Sequence, residues 1–100
     1  MLNGKQRRHL RSLGHHLDPV VYVGKEGLSE GLVRSTDVAL EQHELIKVKL
    51  GESAGSDRHS LVESLAESCS AEVAGVLGRT ALLYRARSEK PTIVLPKPAV

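Results

Sequence analysis

The pattern of this 100-residue chain predicts an α/β domain in two layers, ordered α-β-α-β-α-β-β, with a four-stranded mixed sheet. Three observations predict it. Leu45-Ile46-Lys47-Val48-Lys49-Leu50 alternates apolar and basic residues, the period-two pattern of a strand with one covered face. Ser29 to about His43 carries Leu32, Val33, Thr36, Ala39 and Leu40 at three- and four-residue steps, the stripe of a helix resting on that sheet. Gly78-Arg79 parts two short apolar runs by two residues with glycine first, as a type II′ hairpin prefers. Strands separated by helices normally run parallel through right-handed crossovers, so the hairpin supplies one antiparallel strand.

Taken in order, Asn3 to Leu13 reads as a helix, with Leu10 and Leu13 sharing a face. Lys5, Arg8 and Arg11 at spacing three, and Arg7 with Arg11 at spacing four, put most of its cations on one side. Gly14 is the expected stop. The sequence leaves open whether this helix packs on the sheet or leans away. His15-His16-Leu17-Asp18-Pro19 leads into a strand over Val20–Val23, where Pro19 costs no ladder donor. Ser29 is the expected N-cap of the second helix, with Leu28 before it and Leu32-Val33 as apolar partners. Gly31 and the β-branched residues lower that helix's intrinsic propensity, so it depends on packing. Gly51 to Gly55 is a connection, with Ser56 or Asp57 as the next N-cap. A third helix follows, with Leu61, Val62, Leu65, Ala66 and Cys69 on one face and Glu63 and Glu67 elsewhere. Val73–Leu77 and Thr80–Arg85 form the hairpin. The tail from Ala86, with prolines at 91, 96 and 98, is expected to be irregular, with Ile93-Val94-Leu95 docked on the body. The domain is expected to span 1–95, leaving 96–100 as an irregular tail.

Length allows one domain that buries roughly two-thirds of its unfolded surface. No apolar run approaches the ~20 residues needed to cross a bilayer, and the first residues hold no apolar signal core. A single cysteine, Cys69, excludes an internal disulfide framework. Together these points predict a soluble cytoplasmic protein without membrane contact. The net charge of +2 is unevenly spread. Residues 1–25 carry +4, residues 26–76 carry −6 and residues 77–100 carry +4. If the two ends meet in the fold, they form a positive face suited to a polyanion. Aromatics are scarce, with Tyr22 and Tyr84 and neither Phe nor Trp. That argues against stacking platforms of the RNA-recognition-motif kind and favours grip through backbone and shape.

The segment Gly24-Lys25-Glu26-Gly27 lies between the first strand and the second helix. Its glycines permit a sharp turn with uncovered backbone, the following helix offers its positive end, and Lys25 adds a full charge. A phosphate suits such a place. An ordinary strand-to-helix turn has the same spacing. The Walker pattern and the dinucleotide fingerprint are both absent.

The ordered pieces resemble the bacterial YhbY family, stand-alone chloroplast RNA splicing and ribosome maturation (CRM) domains, from about Lys5 to Leu95. They are Lys5-Gln6-Arg7-Arg8-His9-Leu10-Arg11, Leu17-Asp18-Pro19-Val20-Val21, Gly24-Lys25-Glu26-Gly27-Leu28, Ala39-Leu40-Glu41, His43-Glu44-Leu45-Ile46-Lys47-Val48-Lys49, Leu77-Gly78-Arg79-Thr80 and Leu83-Tyr84-Arg85. The resemblance implies a fold similar to the C-terminal domain of translation initiation factor three. It implies RNA binding, association with precursors of the large ribosomal subunit, and a GxxG loop like the backbone clamp of KH domains. Here that loop is Gly24, Lys25, Glu26 and Gly27, and Glu26 departs from what a phosphate-facing tip wants.

The remaining RNA-binding candidates are Lys5, Arg7, Arg8, Arg11, Lys47, Lys49, Arg79 and Arg85. The helix-one bases extend the loop's contact. Lys47 and Lys49 either bind RNA or keep the open sheet face soluble, and Arg79 and Arg85 are similar cases. Cys69 reads as a buried small hydrophobe. His15 and His16 are poorly spaced for a metal, and His43 and His59 read as surface residues, so no metal or cofactor is expected. No catalytic constellation is present in the residue pattern, and the protein is expected to be a non-catalytic monomer. The other reading is a protein-interaction module on ribosomal particles, motivated by Glu63, Glu67 and Glu72. A third, a phosphate-ester enzyme using the glycine loop, has only the loop behind it.

Overall fold

The computed structural model describes residues 2–51, 58–87 and 89–96. Its elements are α1 (Gly4–Gly14), β1 (Pro19–Val23), α2 (Glu30–His43), β2 (Leu45–Leu50), α3 (Arg58–Ser68), β3 (Glu72–Leu77) and β4 (Thr80–Tyr84), in the expected order. The four-stranded sheet runs β1-β2-β4-β3. β1 and β2 are parallel, and β4 is antiparallel to both its neighbours. The hairpin's return strand is therefore the reversed one, and it inserts between β2 and β3. Gly78 alone of the two turn residues has positive φ, +59°, which fits type II′ rather than I′.

Alternation sorts the strand residues between two faces. Val21, Val23, Ile46, Val48, Leu50, Ala81 and Leu83 meet Ala39 and Leu40 of α2 and Val62, Leu65 and Ala66 of α3. Thr36 fits this stripe fully buried because its hydroxyl donates to the Leu32 carbonyl at 2.8 Å. Cys69 lies in the same core as a free thiol, and burial, then the nearby Asp37 charge, pushes its pKa up. Ser29 caps α2 as expected, accepting from the Leu32 amide at 3.1 Å. The cap expected at Ser56 or Asp57 lies outside the described residues, as does most of the tail over 96–100.

The first helix packs on the sheet. Leu2 and Leu10 meet Leu45, Ala74, Leu82 and Tyr84 on the face opposite α2 and α3, and Ile93 and Leu95 of the tail complete this smaller cluster. Val94, between them, points outward. Asn3 caps α1 in a reciprocal box with Gln6. α1 stops at Gly14 as expected, but not through a left-handed glycine cap. Gly14 is the last helical residue, the following His15 stays in right-handed helical geometry, and a β-carbon on Gly14 would stand 2.6 Å from the Leu82 side chain. Close packing on the sheet, not a left-handed cap, requires the glycine. The chain's two ends do meet, since Gln6 Nε2 donates to the Pro96 carbonyl at 3.1 Å.

At the junction of α2 and β2, Glu44 adopts a positive φ of 63° with its side chain fully buried. Its carboxylate accepts from the amides of Arg87 (2.9 Å), Thr92 (2.6 Å) and Ile93 (3.0 Å), and from the Thr92 hydroxyl (2.5 Å). Burial by itself raises a carboxyl pKa. Here the Thr92 hydroxyl and the three amides outweigh it and lower Glu44 from 4.5 to about 2.

Glu44→Ala therefore orphans buried donors and frees the tail, and is expected to cost about 2–4 kcal/mol in a denaturant titration. The pH dependence has a definite sign. Glu44 holds its proton less tightly folded than unfolded, so its contribution is complete above about 4.5 and is lost as pH falls toward about 2. Glu44→Gln should flatten that acid limb, and an unchanged limb would contradict the assignment.

Candidate nucleic-acid interface

β1 and β2 both end at the same edge of the sheet, Val23 beside Leu50, and the β3–β4 hairpin turns there too. The Gly51 amide donates to the Val23 carbonyl at 2.8 Å and the Leu50 amide to the Arg79 carbonyl at 2.7 Å. This end of the sheet is therefore built of turns. Gly24–Gly27 is one of them, closed by the Gly27 amide on the Gly24 carbonyl at 3.1 Å. Gly27 has a φ of +64°, a conformation glycine adopts without steric cost. Lys25 and Glu26 occupy the exposed corner, and neither of their amides has an acceptor among the described residues. Beneath the turn lies an open groove of about 530 Å³, lined by Tyr22, Gly24, Gly27, Ser29, Gly31 and Ser35 among others. Small side chains keep backbone accessible there. Glu26 and Glu30 are exposed on the same side, so the groove is not uniformly positive.

The candidate cations fall into distinct places. Lys49 is exposed on the sheet face away from α2 and α3, in register with Tyr22 and Thr80. Lys47, one pair further from the turns, is half-buried and with Arg11 and His15 lines a second groove where α1 leaves the sheet uncovered. Arg79 is exposed at the hairpin tip, on the loop's end of the sheet. Three strand spacings separate β1 from β3, so the loop and this hairpin lie roughly 14 Å apart. The structure thus sets Gly24–Gly27, Lys49 and Arg79 toward one end of the sheet, with Lys47 and Arg11 further along the uncovered face and Gly27 beside Leu61 of α3.

Lys5, Arg7 and Arg8 are not part of that gathering. They lie in the first two turns of α1, whose start is fastened at the other end of the sheet by the Leu2 amide on the Glu72 carboxylate at 2.9 Å. Lys5 and Arg8 are exposed and Arg7 is half-buried. Arg85 is committed internally. Its guanidinium donates to Asp37 Oδ1 at 2.5 Å, the Cys69 carbonyl at 2.8 Å, the Asp37 carbonyl at 3.1 Å and Glu41 Oε2 at 3.4 Å. Its side chain is only 20 % exposed, and it ties α2 to the end of α3. The sequence offered a signal: Asp37 and Glu41, four apart on one helix, present two acids to one cation. No group of three or more candidate metal ligands occurs among the described residues, and no helix among them is long and apolar enough to cross a membrane.

Residues 2–85 match the CRS1 / YhbY (CRM) domain. The chain is 42 % identical over 99 residues to the Probable RNA-binding protein MJ0652 of Methanocaldococcus jannaschii, spanning 97 % of this chain and 73 % of that protein. It is 38 % identical over 96 residues to the Probable RNA-binding protein YqeI of Bacillus subtilis, spanning 96 % of this chain and all (100 %) of that one. The solution structure of the hypothetical protein SAV1595 from Staphylococcus aureus superposes with a TM-score of 0.83 at 41 % identity, covering 96 % of this chain and 100 % of that one.

The two loop glycines should respond differently to alanine. A β-carbon on Gly24 meets nothing within 4 Å, whereas Gly27 sits at φ +64°. Gly24→Ala should leave the denaturation midpoint unchanged, while Gly27→Ala should cost about 1–2 kcal/mol. Arg85→Met should cost about 1–3 kcal/mol, through the carbonyl contacts more than the exposed ion pairs.

Proposed function

The chain belongs to the CRS1 / YhbY (CRM) domain family, and on that premise we propose that it is a non-catalytic RNA-binding protein acting in assembly of the large ribosomal subunit. The observation that carries this reading is the exposed glycine turn. Its corner amides have no acceptor and Lys25 at its tip no ion pair among the described residues, and the groove beneath it also holds Tyr22, the row partner of Lys49. Such a turn can donate backbone N–H groups to a phosphate while Lys25 neutralises it. Lys49, Lys47, Arg11 and Arg79 then supply further charge along the same end. The names of the relatives, probable RNA-binding proteins, support the class of partner. Precursor ribosomal RNA as the target rests on the family resemblance, and action as a monomer is a further part of the proposal.

Lys5, Arg7 and Arg8 extend the positive surface along α1, toward the far end of the sheet. In this reading they add a salt-sensitive contribution without contacting the nucleotide held at the turn. Arg85 is assigned to the scaffold, since its donors are already engaged.

The test is a salt series. Wild type should bind structured large-subunit ribosomal RNA with an affinity that falls steeply as salt rises, by roughly 0.7–0.9 log units per phosphate contact per decade. Lys25→Asp should weaken binding and lower that slope by about one contact. Salt-insensitive binding, or partners captured equally well after nuclease treatment, would sink the proposal and favour a protein-interaction module.

A further inference from the structure

Two tyrosines are the chain's only aromatics of the Phe, Tyr and Trp class, and the fold treats them oppositely. Tyr84 is 7 % exposed and belongs to the cluster under α1, where burial and then the Glu44 and Glu72 charges push its pKa up. Tyr22 is 65 % exposed. β1 explains the orientation: Val21 and Val23 enter the core with α2 and α3, so Val20 and Tyr22 face the other way. No described residue hydrogen-bonds its hydroxyl or stacks on its ring. An aromatic left this open gives up most of the hydrophobic gain its ring could make.

Its neighbours show what the ring could meet. Tyr22 lines the groove beneath the glycine turn. It also begins a cross-strand row, Tyr22–Lys49–Thr80–Leu77, in which Leu77 is 85 % exposed. The next row, Pro19–Lys47–Leu82–Gly75, runs into the second groove, lined by Arg11 and His15. Neither row contains an acid. Among the described residues Lys47 and Lys49 are the charges within these rows, while Asp18 borders Lys47 at one edge and Glu26 stands at the turn. Lysines flanking an open π-face, Lys49 in its row and Lys25 at the turn, fit a polyanion whose bases are exposed. A duplex hides its bases in the stack and offers a flat ring nothing to cover.

We propose that Tyr22 is a stacking platform for an unpaired base, whose phosphate is held at Gly24–Gly27 and whose neighbouring phosphates lie along Lys49 and Lys47. The ligand class is thus RNA with a single-stranded segment, not continuous duplex. This rests on the RNA-binding reading above and adds a residue and a specificity to it. The scarcity of aromatics argues against a multi-base platform; one ring beside a backbone clamp needs only one.

The experiment uses the full chain and two probes, a short unstructured oligoribonucleotide of mixed sequence and the duplex it forms with its complement. Tyr22→Leu preserves an apolar strand residue and removes the π-face; Tyr22→Phe preserves the face. Circular dichroism checks that all three proteins fold. Loss of one stacked base should weaken single-strand binding by Tyr22→Leu roughly 5- to 150-fold, with duplex binding unchanged. Tyr22→Phe should bind like wild type. With no tryptophan present, the single strand should also quench wild-type tyrosine emission, and Tyr22→Phe should lose that quench. Salt-dependent RNA binding that Tyr22→Leu leaves intact, or weakens equally for strand and duplex, would overturn this inference alone. Absence of binding to either probe or to ribosomal RNA would overturn it together with the function proposed above.

Discussion

The structure depends on one buried carboxylate. Glu44 turns the chain from α2 directly into β2, in a backbone conformation that side chains rarely adopt, and its oxygens collect donors from the segment after β4. A buried charge survives only when its hydrogen bonds are made, so the strained turn and the docked tail hold each other in place. The Arg85 amide adds a bond to the Glu44 carbonyl at 2.8 Å. One end of the sheet is thereby fastened by α1, the tail and Glu44. The opposite end carries turns, and at one of them the amides of Lys25 and Glu26 have no acceptor among the described residues.

The same division decides what each basic residue can do. Lysines and arginines look alike in composition, yet their neighbours separate them. Arg85 meets two acids and two carbonyls and becomes part of the scaffold. Lys49 lies across from Tyr22 and Thr80, exposed and with no ion pair among the described residues. Lys5 and Arg11 belong to the same helix, but α1 runs from the fastened end of the sheet toward mid-strand, so Arg11 shares a groove with Lys47 while Lys5 stays near the fastened end. Helical spacing places residues on a face; it does not say which end of a neighbouring sheet that face reaches.

Local pattern was enough for the elements and their order. The alternation of β2, the stripe of α2 and the Gly78-Arg79 turn are each written in adjacent residues, and the glycine turn with its Ser29 cap was equally legible. The rest depended on contacts distant in sequence. Gly14 reads as a helix stop until Leu82 is seen against it, 68 positions away in the chain. Nothing adjacent to Glu44 in the sequence announces that the amides of 87, 92 and 93 converge on it. Tyr22 lay within reach of the sequence, since alternation in β1 sends it to the face opposite Val21 and Val23. Its value as a strand former hid its exposure.

Amide NMR of the isotope-labelled chain, titrated with a fragment of large-subunit ribosomal RNA, maps contact residue by residue and asks the question most directly. Shifts centred on Gly24, Lys25, Glu26 and Gly27 and spreading to Tyr22 and Lys49, with Glu63 and Glu67 of α3 unmoved, are the result this structure predicts. Shifts gathered on the outer face of α3, or none at the glycine turn, would contradict it.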